Sequence, residues 1–195
     1  MRKKLIKRRV LLVVGIAAIT AVAMITAGLN AKYVRKVKLK GSVEFSSELA
    51  ESIILNESKA TITESGRYSL DTSEKVLENS YKVMPGVNIP KDPAVTVTGK
   101  TGIPSYLFIR VDEVNFPESV TYTLCNHWEK LNYIENVYVY TGENFSTPIK
   151  IISGDVLNVS PQYNGEAFNL DFTAYLYQKL NNDSPEETFS RESGS

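Results

Sequence analysis

Hydrophobic and polar residues alternate with period two along most of the chain. The clearest run places Phe168, Leu170, Phe172, Ala174 and Leu176 on one face, with Asn169, Asp171, Thr173, Tyr175 and Tyr177 on the other. That alternation is the mark of a half-buried strand. Leu107, Ile109 and Val111 alternate with Tyr106, Phe108 and Arg110, so both faces are partly apolar, as in the central strand of a sandwich. Shorter pieces predict further strands: Val95 and Val97; Val120, Tyr122 and Leu124; Val137 and Val139; Ile149 and Ile151; Val156 and Leu157. Turn chemistry separates them at Pro85-Gly86, Lys100-Thr101-Gly102, Thr141-Gly142-Glu143, Ser153-Gly154-Asp155 and Asn164-Gly165, the last a strong hairpin signal. Pro85, Pro90 and Pro93 remove backbone donors and restrict that stretch to loop or edge strand. No long segment keeps a 3.6 period, and only Ser46–Leu55 and Ser73–Ser80 read as short helical turns. The expected fold is an antiparallel, jelly-roll-like β-sandwich spanning residues 46–180, followed by a disordered polar tail over 181–195.

The N-terminus follows another rule. Arg2, Lys3, Lys4, Lys7, Arg8 and Arg9 precede an apolar run from Val10 to Leu29 that ends in small residues, Ala27, Gly28 and Ala31. A basic region, an apolar stretch and a small-residue exit describe an export signal over residues 1–31. Roughly 20 apolar residues also suffice to cross about 30 Å of hydrocarbon as a helix. Two readings therefore stand: cleavage after Ala23, Ala27 or Ala31, or retention as a signal anchor. Both place the body outside the cytoplasm, extracellular or at the cell surface, with membrane contact only through this segment.

Charge sharpens that picture. Residues 1–40 hold 11 of the 22 Lys and Arg and no acid, which leaves 11 bases against 22 acids, a net of −11, in residues 41–195. An acidic body argues against nucleic acid as partner. Between the signal and the body, residues 32–45 carry Tyr33, Val37, Leu39, Val43 and Phe45 on odd positions and Lys36, Lys38, Lys40, Ser42 and Glu44 on even ones. This predicts one long strand with an apolar and a basic face. It is either the first strand of its own domain or a donor strand that completes the open sheet edge of another copy. Repeated head to tail, donor pairing does not close and makes a filament. A retained anchor would instead set the basic face against anionic lipid.

Candidate chemistry is sparse. The lone Cys125 forms no intrachain disulfide and reads as a small core residue. His127 is the one histidine, so HExxH and paired-His metal spacing are absent and a secreted metalloprotease is a remote reading. Cys125 and His127 lie two apart and could share a strand face, but no third orienting group is suggested. Asp112 and Glu113 are adjacent on a strand and face opposite sides, which suits acid–base work poorly. Asp112, Glu143 and Asp155 are the candidate calcium ligands. Eleven tyrosines, several opposite aliphatic faces (Tyr138, Tyr140, Tyr175, Tyr177), form either ordinary cross-strand pairs or a contact surface. The expectation is a protein without catalytic residues or cofactor.

Three segments carry a family resemblance: Val83-Met84-Pro85-Gly86 through Lys91-Asp92-Pro93-Ala94-Val95-Thr96-Val97-Thr98 to Ser105–Val111; His127-Trp128-Glu129-Lys130 with Val137–Tyr140; and Leu170-Asp171-Phe172-Thr173-Ala174-Tyr175 with Gln178. Over residues 81–178 the chain resembles the TasA/camelysin group of exported Gram-positive surface proteins, many of them processed by a SipW-type signal peptidase. The resemblance implies a jelly-roll domain, export, and assembly of like or related subunits into biofilm matrix fibres through N-terminal donor strands.

Overall fold

The computed structural model describes residues 28–35, 53–98, 104–143, 145, 148–180 and 182–193. Among them are thirteen strands: β1 (Gly28–Arg35), β2 (Ile53–Ile62), β3 (Tyr68–Val76), β4 (Glu78–Lys82), β5 (Ile89–Pro90), β6 (Ala94–Val97), β7 (Ser105–Val114), β8 (Val120–Thr121), β9 (Trp128–Lys130), β10 (Val137–Tyr140), β11 (Ile149–Lys150), β12 (Val156–Val159) and β13 (Phe168–Gln178). One helix, α1 (Pro185–Ser193), follows. The fold is the all-β sandwich that the alternation predicts. A six-stranded sheet runs β4-β1-β13-β7-β10-β9, and its inner face packs against strands of a four-stranded sheet, β11-β6-β2-β3, and a three-stranded sheet, β5-β12-β8. The apolar signal segment, residues 1–27, lies outside the described residues; among those described, no helix is long and apolar enough to cross a membrane.

The backbone of the sandwich is the β7–β13 pair, joined antiparallel over ten positions from Asn169↔Val114 to Gln178↔Ser105. Inward residues of both strands (Leu107, Ile109, Val111, Phe168, Leu170, Phe172, Ala174, Leu176) meet Ile53 and Leu55 of β2, Val95 of β6 and Leu157 and Val159 of β12. Each such aliphatic or aromatic side chain contributes about 1.5–3 kcal/mol on burial, so this layer carries most of the fold's stability. The short β5 shows the proline rule at work. It is two residues long and, among the described residues, pairs only with β12.

Part of the outward face of β7 and β13, at Phe108, Tyr175 and Tyr177, is also apolar, and α1 explains why. Residues 181–195 were expected to form a disordered tail, but 185–193 are helical, with Phe189 buried against Phe108, Tyr175 and Tyr177. Ser184 and Glu187 form a capping box: the Ser184 N–H donates to Glu187 Oε2 at 2.8 Å, and the Glu187 N–H donates to Ser184 Oγ at 3.2 Å. Pro185 stands at the first helical position, where its missing N–H costs nothing. Tyr175 and Tyr177 are therefore core residues under a helix, while Tyr138 and Tyr140 pack half-buried against the main core. Tyr138 and Tyr140 thus keep part of their surface open to solvent.

Other expectations need correcting. Ser73–Ser80 contains strands β3 and β4, not a helical turn, and residues 53–55 of the other suspected turn begin β2. Asn164-Gly165 closes no two-residue hairpin. Gly165 (φ +87°) turns a longer connection between β12 and β13, which belong to different sheets.

Burial raises the phenols of Tyr81, Tyr122 and Tyr177 well above the ordinary tyrosine range, and those of Tyr138, Tyr163 and Tyr175 to a lesser degree. The folded state thus holds these protons more tightly than the unfolded chain. Their contribution is complete below about pH 10 and is lost as pH rises beyond it, by up to about 1.4 kcal/mol per pH unit for each fully buried group. Lys91, whose burial lowers its pKa, acts in the opposite sense, but it is one group against several. Tyrosinate absorbance is expected to rise in a cooperative step that coincides with loss of far-UV circular dichroism. Gradual ionisation of all tyrosines in an intact fold would contradict this.

Candidate assembly site

The N-terminal strand occupies a slot in the large sheet. β1 pairs antiparallel with β4, from Gly28↔Lys82 to Lys32↔Glu78, and parallel with β13, from Leu29↔Phe168 to Arg35↔Ala174. It is the only link between β4 and the rest of that sheet among the described residues. Removing it would expose unpaired main-chain donors and acceptors along β13 and along β4, two sheet edges at once. The chain between β1 and β2, residues 36–52, is 17 residues long. Fully extended it spans roughly 55–60 Å, enough to serve a slot in the same molecule or in a neighbour.

Of the proposed donor-strand residues, Tyr33 lies in β1, in register with Phe172 of β13. Val37, Leu39, Val43 and Phe45 lie outside the described residues. The paired strand begins at Gly28, four residues earlier than the alternation suggested, and Gly28–Ala31 belong to the sheet although the sequence pattern assigned them to the signal. Alternation could not show this, because the first residues of the strand merge with the apolar run before it.

Beside the slot, β4 presents Tyr81 to a buried polar pocket. Glu57 continues the inward face of β2 after Ile53 and Leu55 and is fully buried. Lys91, between β5 and β6, is also fully buried, and its Nζ lies 3.0 Å from Glu57 Oε2. The Tyr81 ring lies 5.7 Å from that Nζ. Burial lowers the Lys91 ammonium, and Glu57 partly offsets this. Around the pair, Asp92 accepts from the Ser58 N–H (2.8 Å) and from Ser58 Oγ (2.6 Å), and Asn79 bridges Ala60 and Ser58. Neither Glu57 nor Lys91 stands out in the sequence; the one signal is an acid in phase with an apolar strand face.

The remaining chemical candidates do not converge. Cys125 packs half-buried against the core, and burial raises its thiol, whereas His127 is exposed beside Tyr140. Asp112 accepts from Arg110 Nε and Glu113 from the Tyr122 hydroxyl, on opposite sides of β7. Asp155 is tied to Lys150. Among the described residues, no three His, Cys, Asp or Glu lie together in a way that could hold a metal ion, so Asp112, Glu143 and Asp155 do not form the calcium site considered from sequence.

Compared with known proteins, the chain matches no family model, no curated protein and no solved structure.

Proposed function

We propose that this protein is an exported, non-enzymatic structural subunit of the cell surface or biofilm matrix, and that it assembles by exchange of β1. In a monomer β1 fills its own slot; in a polymer it fills the slot of the next copy, and each copy receives a strand in turn. The observation that carries this reading is the position of β1: the first described strand, joined to β2 by 17 residues, enclosed between β4 and β13. Because both forms use the same pairing, exchange needs no new interface, and the balance is set by linker geometry and concentration. Charge favours association between copies, since Lys32, Arg35, Lys36, Lys38 and Lys40 make residues 28–40 basic while the body is acidic. The resemblance to the TasA/camelysin group supports export, processing by a signal peptidase and fibre formation with itself or related subunits. Cleavage after Ala23 or Ala27 keeps all of β1 in the mature protein, whereas cleavage after Ala31 removes half of it.

The retained apolar run supports a second reading, a membrane-anchored surface adhesin or accessory module in which β1 stays in its own chain. Protein beginning at Gly28 is expected to form filaments in electron micrographs above a threshold concentration, whereas protein beginning at residue 36 remains unpolymerised. If the native protein keeps Met1 and stays monomeric in the membrane fraction, the anchored reading replaces assembly.

A further inference from the structure

We propose that Lys91 and Glu57 become joined after folding by an amide bond between Lys91 Nζ and Glu57 Cδ, with loss of one water. The two side chains are fully buried and their polar atoms are 3.0 Å apart, in a protein whose lone cysteine can form no internal disulfide. The adjoining residues hold them there. Ser58, next to Glu57, donates twice to Asp92, next to Lys91, and Lys75 Nζ reaches Ser58 Oγ at 2.8 Å and Asp92 at 3.7 Å. The Lys91 N–H is fixed on the Asp155 carbonyl at 2.8 Å. The chain neighbours thus hold amine and carboxyl together, which removes the entropic cost of bringing them into contact.

Glu57 has two buried oxygens, and Oε1 has no hydrogen-bond partner. A buried carboxylate with an unpartnered oxygen is a costly state. The bond removes that cost at its source, since one carboxyl oxygen departs and both formal charges disappear. Burial also favours the neutral amine over the ammonium, which is the form that attacks. Proton transfer from Lys91 to Glu57 gives the neutral amine and acid. Nζ then attacks Cδ, the C–N bond forms, the C–OH bond breaks, and the hydroxyl leaves with an amine proton as water. No oxidant, reductant or second molecule is consumed.

The inference is independent of strand exchange, and mass spectrometry of the full-length or naturally processed protein tests it. The unfolded chain is expected to weigh about 18 Da less than its sequence, and a tryptic digest to contain one branched peptide that joins position 57 to position 91. Lys91→Arg is expected to restore the sequence mass. Glu57→Gln, if it reacts, loses about 17 Da as ammonia instead. An unmodified wild-type mass, with ordinary cleavage after Lys91, overturns the proposal without reliance on any variant.

Discussion

Lys91→Met is expected to destabilise the fold by about 3–5 kcal/mol, because it leaves Glu57 buried without its cation. Against a typical total of about 5–15 kcal/mol, that is a large part of the protein's stability. The size follows from burial. Both members of the pair are wholly excluded from solvent, so neither can recover hydration when its partner is lost. The Lys59–Glu74 pair has the same 3.0 Å separation but is about half exposed on both sides. Lys59→Met is therefore expected to cost at most about 1 kcal/mol. Urea denaturation of the two variants beside the parent chain measures the contrast. Equal, small shifts in midpoint would mean that Glu57 reaches water in solution. An amide between the two side chains would enlarge the Lys91 effect and leave the Lys59 effect unchanged.

Phe189→Ala is expected to release α1. The ring sits 5.2 Å from Phe108, 5.4 Å from Tyr175 and 5.8 Å from Tyr177, each measured between ring centroids. Truncating a buried phenylalanine costs about 3–5 kcal/mol where the surroundings stay fixed. Here α1 packs on the outer face of β7 and β13 and pairs with no strand, so it can detach and the loss is limited to the free energy that docks it. Amides of residues 185–193 are then expected to lose hydrogen-exchange protection while β7 and β13 keep theirs. The uncovered Phe108, Tyr175 and Tyr177 form an apolar patch that binds hydrophobic dyes. Retained protection across α1 would show that the Ser184–Glu187 capping box and the Arg191 contacts to Asp183 and Glu192 suffice to hold the helix.

These two sites mark the boundary of what the sequence reveals. The inward face of β13 is legible because Phe168 to Leu176 repeats five times in phase, and a slip of one residue would reverse every side chain. The sandwich follows from such strands and the turns between them. Helix α1 is less legible because only Phe189 is large and apolar in its nine residues, too little to display a 3.6 period. Its signals were local and of another kind: Ser184-Pro185 followed by Glu187 at the start, and an apolar outward face on β13 that needed a cover. The Glu57–Lys91 pair is harder still. Its members are 34 residues apart, and charged residues are seldom fully buried, so nothing local marks them as partners. For β1, the sequence indicates a strand just after the apolar run, but its partners β4 and β13 are distant in the chain and become visible only in the assembled sheet.

The exchange of β1 is tested most directly by a disulfide that can form only between chains. Asn30 of β1 and Ser80 of β4 stand opposite each other in the antiparallel register. Opposed residues in such a pair lie about 4.5–5.5 Å apart at Cα, within the range a disulfide spans. In a Cys125→Ser background, Asn30→Cys and Ser80→Cys are placed on separate chains that begin at Gly28, and the two proteins are mixed, assembled and oxidised. Strand exchange predicts disulfide-linked dimers that join one variant to the other in the assembled fraction, and none in dilute monomer. Assemblies that contain no such linked dimers would contradict it, because every β1 would then still lie in the slot of its own chain.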